Sequence, residues 1–134
     1  MNTIELPAIM DNLEEGIDFI LAGIEQAGVD QKMLFQLRLA CEEVIVNVIN
    51  YAYPDSKGSM QISYDISDNE LEVVVSDSGV HFNPINKEDP DLSIPLEDRK
   101  IGGLGIFLVR NIMDQVEYSR EDGRNILTMR KVLK

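Results

Sequence analysis

The chain has 134 residues, 44% of them hydrophobic, which is enough for one continuous core without metal or disulfide staples. With 24 acidic against 12 basic residues its net charge is −12, so its average surface repels phosphate backbones and anionic lipid heads, and direct nucleic-acid or membrane binding is disfavoured. No run approaches the ~20 apolar residues of a membrane span, Met1 to Ala8 lacks the pattern of a signal peptide, and the single Cys41 sits in an apolar run as a reduced thiol. A cytoplasmic protein of one domain, residues 1–134, is expected.

The order of elements is mixed. Thr3 to Leu6 reads as a short strand, and Met10 to Ala27 as an amphipathic helix with Leu13, Ile17, Ile20, Leu21 and Ile24 on one face before Gly28. Asp30 caps a second helix that runs to about Tyr53 ahead of Pro54, apolar on nearly every side and therefore deeply buried. Met60, Ile62, Tyr64 and Ile66 alternate with polar residues, and after a turn at Asp68-Asn69 the parity resumes as Leu71, Val73 and Val75, which predicts a hairpin. Residues 83–101 carry Pro84, Pro90 and Pro95 among acidic side chains, longer than an idle loop, and suggest a lid. Gly102 to Gly105 opens a third helix, Ile106 to Asp114, and Val116 to Arg120 and Asn125 to Leu133 flank the hairpin signal Asp122-Gly123. The expected fold is α+β, a two-layer sandwich of a mostly antiparallel sheet with three helices on one face.

Three segments break this pattern. Glu43, Asn47 and Asn50 stand at i, i+4 and i+7 within about 60° of one another on a helix that otherwise wants no polar stripe. Each buried polar group left without a partner costs about 1–3 kcal/mol, so something must satisfy them, whether a ligand, an internal hydrogen-bond cluster or a partly solvated edge. Asp77 continues the inward parity of Val73 and Val75 and is followed by Ser78-Gly79, Phe82 and Pro84. Its carboxylate can accept from the exocyclic amine of a heteroaromatic ring, or cap the amides of its own turn. Gly103, Leu104 and Gly105 run directly into an apolar helix, where free N–H groups and the positive end of the helix dipole suit phosphate, although glycine pairs also serve as mere turns.

Taken in order, Glu-x-x-x-Asn on a helix, Asp-x-Gly at a strand end and Gly-x-Gly after a proline-rich lid resemble the nucleotide boxes of GHKL (Bergerat-fold, histidine-kinase-like) ATPases. The stretches Leu39 to Tyr53, Asp77 to Pro84 and Arg99 to Asp114 narrow the likeness to anti-sigma-factor serine/threonine protein kinases. That resemblance implies ATP and Mg²⁺ as ligands, with Asn47 coordinating the metal, Glu43 as the base and Asp77 receiving the adenine amine. Asn50, Gly79, Phe82, Gly103, Leu104, Gly105 and Arg99 complete the expected nucleotide site, Arg99 and Lys100 serving either to neutralise transferred charge or as a solvated basic pair.

His81 stands where many members carry a second glycine, and is expected to have no catalytic role. Asn125 stands near where relatives often place a threonine by the nucleotide, which leaves that wall of the pocket open. The resemblance further implies a kinase that phosphorylates an anti-anti-sigma (STAS) partner, binds a sigma factor and forms a homodimer. Without a sensor or phospho-accepting module, a complete histidine kinase, gyrase or chaperone is not expected. The alternatives are a non-catalytic ATP/ADP-dependent binding switch and an α+β scaffold without a ligand; Glu43 favours the enzyme, because a switch has no use for a base.

Overall fold

A computed structural model describes residues 1–84 and 103–134, with side chains of the second segment from Ile106 onward. Strands β1 (Asn2–Pro7), β2 (Ser59–Ser67), β3 (Glu70–Asp77), β4 (Gln115–Glu121) and β5 (Arg124–Val132) form one antiparallel sheet in the order β1-β2-β3-β5-β4. Helices α1 (Leu13–Gln26), α2 (Gln31–Tyr51) and α3 (Gly103–Ile112) supply the other layer. The expected α+β sandwich is thus observed.

Local chemistry explains the boundaries. The Asp30 carboxylate accepts from the Met33 amide at 2.8 Å and starts α2 where the sequence placed it. Asp68 and Asn69 both have positive φ (52° and 66°), as do Asp122 and Gly123 (51° and 76°), so both two-residue loops take the left-handed backbone conformation whose turn matches the right-handed twist of the flanking strands. The first helix begins later than its periodicity predicts: Met10–Asn12 form a 3₁₀ turn, in which the Asn12 side chain donates to the Pro7 carbonyl at 2.9 Å, and α1 proper starts at Leu13.

Between the layers, Ile17, Ile20 and Ile24 of α1 and Leu37, Ala40, Val44 and Ile45 of α2 meet Met60, Ile62, Leu71, Val73 and Met129 of the sheet, all essentially inaccessible to solvent. Burial of this apolar surface is the main favourable term in folding. Cys41 lies in the same layer, and burial pushes its thiol up to about 12, which keeps it protonated and inert. An Arg38–Glu14 ion pair at 2.7 Å ties α2 to α1 at the surface. The opposite sheet face is polar, and Arg124 lies across it, donating to Gln61 at 2.6 Å and Ser76 at 2.7 Å. Among the described residues no helix is long and apolar enough to cross a membrane.

The register matters most at one end of the sheet. Asp77 is the last residue of β3, and its partner on β5 is Asn125. Both side chains have inward parity there and are buried, at 3% and 4% exposure, against the C-terminal half of α2.

Candidate nucleotide-binding site

A small, partly open cavity lies between α2 and this end of the sheet. Val44 and Val48 of α2, Val75 of β3 and Leu127 of β5 give it apolar walls; Phe82 and Pro84 close one side. Asn47, Asp77, Tyr118 and Asn125 supply its polar groups. A small set of polar groups in an apolar cleft is the usual composition of a small-molecule site.

The two asparagines differ in a telling way. Asn125 has spent its whole amide on protein: Nδ2 donates to Asp77 Oδ1 at 2.9 Å and to the Val80 carbonyl at 2.8 Å. Its Oδ1 accepts from the Tyr118 hydroxyl at 2.6 Å and from Arg120 at 3.2 Å. Asn47 has spent nothing: its Nδ2 and Oδ1 are both buried, and among the described residues neither has a hydrogen-bond partner. Buried side-chain polar atoms are nearly always paired, and an orphaned amide costs about 1–3 kcal/mol per group. A chain that keeps such a group facing a cavity is built to satisfy it with something that enters.

Asp77 falls between these cases. Its Oδ1 accepts from the Gly79 amide at 2.9 Å and from Asn125, so it does cap its own turn, one of the two roles its position allowed. Among the described residues Oδ2 has no partner, so the second role remains available on the side of the cavity.

The loop after Asp77 is held from four directions. The Val80 amide donates to the Ala52 carbonyl at 2.8 Å, the Ser78 amide to the Tyr53 hydroxyl at 2.9 Å, and Arg120 to the Gly79 carbonyl at 2.9 Å. Asn125 holds the Val80 carbonyl. Gly79 is required by this closeness, because a Cβ there would collide with the Ala52 carbonyl, which is backbone and cannot swing away. Replacing Gly79 with alanine is therefore expected to push the loop off the end of α2 and destabilise the fold by about 1–3 kcal/mol, read as a lower midpoint in urea unfolding.

Of the other residues singled out in the sequence, Phe82 is half-buried with its ring 5.9 Å from that of Tyr51. Glu43 lies one turn N-terminal to Asn47 and is half-buried. Burial, and secondarily the neighbouring Glu42 carboxylate, hold its carboxyl above the ordinary value of 4.5. Asn50 is exposed near the end of α2, so water satisfies it and the burial argument does not extend to it. Gly103, Leu104 and Gly105 form the first turn of α3, which begins earlier and ends earlier than the Ile106 to Asp114 read from the sequence; Arg99, Lys100 and most of the 83–101 stretch fall outside the described residues. His81 is exposed, its ring 6.0 Å from that of Tyr118.

Sequence reasoning missed Tyr118 and Arg120 and left Asn125 undecided. Inward alternation marks Tyr118 and Asn125, but only the strand register shows that Asn125 faces Asp77. Burial raises the Tyr118 phenol above its ordinary value, a tendency lowered by Arg120 and reinforced by Asp77. The hydroxyl stays protonated, as a donor to Asn125 must.

The sandwich, with a cavity between its central helix and sheet and a glycine-initiated helix beside that helix, defines a nucleotide-binding α+β class. The profile of the histidine kinase-like ATPase domain matches residues 6–131, and the chain belongs to that family. It is similar to the serine-protein kinase RsbW of Bacillus cereus, with 31% identity covering 78% of this chain and 71% of the relative. It is also similar to the RsbW of Halalkalibacterium halodurans, with 36% identity covering 72% of this chain and 61% of that one. The fold matches a crystal structure of the RsbU and RsbW domains of a Mycobacterium tuberculosis protein with a TM-score of 0.68 at 13% identity. That match covers 99% of this chain and one third (33%) of the solved chain. The resemblance carried by the three sequence segments is borne out.

Proposed function

We propose that the chain is an ATP-dependent serine/threonine protein kinase of the anti-sigma-factor type. It binds MgATP in the cavity below Asp77 and transfers the γ-phosphoryl group to a serine or threonine of a STAS-type partner. The observation that carries this reading is the Asn47 amide, unpartnered among the described residues, in the same cavity as the half-engaged Asp77 carboxylate. Similarity to proteins named serine-protein kinase RsbW supports a serine acceptor; a sigma-factor partner, a homodimer and a cytoplasmic setting belong to the same proposal.

In this account Asp77 Oδ2 accepts from the adenine amine, and Val48, Val75 and Phe82 pack against the base. The first turn of α3, whose leading amides, as in any helix, have no partner within the helix, receives the phosphates. The donor set fits magnesium: Asn47 offers one hard oxygen, Oδ1, and its Nδ2 can donate to a phosphate oxygen, while Mg²⁺ usually draws its remaining ligands from phosphate and water. Bound there, Mg²⁺ would offset the negative charge of the triphosphate.

Glu43 takes the proton from the acceptor hydroxyl as its oxygen bonds to the γ-phosphorus. The bond from that phosphorus to the bridging oxygen breaks, and its electrons leave with ADP. Half-burial suits this work, because a carboxyl held above 4.5 is a stronger base than one in water.

The test is incubation with γ-labelled ATP and a STAS protein, in which label must reach a serine or threonine of the partner. Tight MgATP binding without transfer would instead favour a nucleotide-dependent switch. The pH dependence adds a check: transfer is expected to fall as pH drops through the raised Glu43 value, giving an acidic limb above 4.5. A rate independent of pH down to that value would remove Glu43 as the base.

A further inference from the structure

If Asp77 reads the base, its selectivity depends on which carboxylate oxygen faces the cavity and whether that oxygen is free, and neither is decided by Asp77 itself. Oδ1 is occupied by the Gly79 amide and by Asn125 Nδ2, both at 2.9 Å. Asn125 cannot reverse its amide, because Tyr118 and Arg120 both donate to its Oδ1, while Asp77 and the Val80 carbonyl both need donors. A flipped amide would set acceptor against acceptor at Asp77 and the Val80 carbonyl and donor against donor at Arg120, and only the Tyr118 hydroxyl could adapt by accepting instead. With two donors and two acceptor sites used, Asn125 has no capacity left for a ligand.

We propose that Asn125, locked by the Tyr118 hydroxyl and Arg120, is a positioning residue that holds Asp77 with Oδ2 as a lone acceptor toward the cavity. It thereby makes the site selective for purines bearing an exocyclic amine at position 6. The inference rests on the reading of Asp77 given above. It assigns a role to Tyr118 and Arg120 that neither could have by touching the base through Asn125.

The experiment compares binding of MgATP, MgITP and magnesium tripolyphosphate by calorimetry. ITP carries a carbonyl in place of the amine, and tripolyphosphate lacks the base. Wild-type protein is expected to prefer ATP to ITP by about 10–100-fold, the range for a hydrogen bond to a charged group. Asn125→Ala is expected to bring that ratio close to one, and Tyr118→Phe to reduce it by about 3–10-fold, since Arg120 still holds the amide. Tripolyphosphate affinity should stay unchanged in both.

A parallel loss for all three ligands, or an unaltered ATP/ITP ratio, would show that Asn125 merely supports the fold and would overturn the proposal. If Asn125→Ala does not fold, the ratio in Tyr118→Phe decides. Asp77→Asn separates the two levels of the argument: if wild type does not discriminate, or Asp77→Asn leaves the ratio intact, the reading of Asp77 fails and the role of Asn125 falls with it. Loss of discrimination in Asp77→Asn but in neither of the other variants overturns the Asn125 role alone.

Discussion

Replacing Glu43 with glutamine is expected to slow phosphoryl transfer by about 10²–10⁴-fold, the usual contribution of a positioned general base. MgATP affinity should stay within about threefold of wild type, because Glu43, although next to Val44, does not itself line the cavity. Single-turnover transfer to the acceptor protein, measured beside calorimetric titration, separates the two. Stability should respond in the opposite sense. A carboxyl whose folded value is raised contributes stability fully present below the ordinary value of 4.5 and lost as pH rises through the folded value. The glutamine variant escapes that loss, so it should match wild type near pH 4 and be slightly more stable at neutral pH. Unimpaired transfer in this variant would exclude Glu43 from the chemistry.

Asn47→Leu should produce the other large effect, again with two signs. Removing a buried amide that has no partner relieves about 1–3 kcal/mol in the unliganded protein, which raises the melting temperature by several degrees. The same change removes the oxygen proposed for magnesium and the donor proposed for phosphate, so MgATP affinity should fall by about 10²–10⁴-fold. Thermal unfolding with and without MgATP reads both at once: the variant should start higher than wild type and gain nothing from the ligand. Asn125, the same residue type in the same cavity, should behave in the reverse way, because removing a fully bonded amide takes the acceptor from the Tyr118 hydroxyl and leaves Asp77 Oδ1 with the Gly79 amide alone. A hydrophobic substitution at Asn47 that destabilised the unliganded protein as much as one at Asn125 would contradict this distinction.

Much of the architecture was legible in the sequence because its signals are local. Periodicity located α2, alternation located both hairpins, and the pairs Asp68-Asn69 and Asp122-Gly123 placed the turns, whose positive φ angles bear out the reason for choosing them. The inward direction of Asp77 was legible too, because parity along one strand needs no knowledge of its neighbours.

What escaped was set by contacts between distant segments. The pairing of Asp77 with Asn125 is a matter of register across 48 residues, so the lock formed by Asn125, Tyr118 and Arg120 could not be foreseen. Asn50 was grouped with Asn47 by helical angle alone, but the angle does not reveal where the covering layer ends, and Asn50 lies beyond it. The delayed start of α1 depends on a side chain reaching back to Pro7, a contact that a hydrophobic period cannot report.

Two segments that broke the rules of burial, Asn47 on α2 and Asp77 at the end of β3, are separated by 30 positions in sequence and line one cavity in the fold. The third, the glycine run, begins a helix that packs against α2. We propose that all three meet around one bound nucleotide.

A crystal structure with magnesium and a non-hydrolysable ATP analogue tests that convergence most directly. The account predicts the adenine amine about 2.8–3.0 Å from Asp77 Oδ2 and a magnesium ion about 2.1 Å from Asn47 Oδ1, with phosphate oxygens at the start of α3. A nucleotide bound elsewhere, or one bound in the cavity while the Asn47 amide stays without a partner, would contradict it.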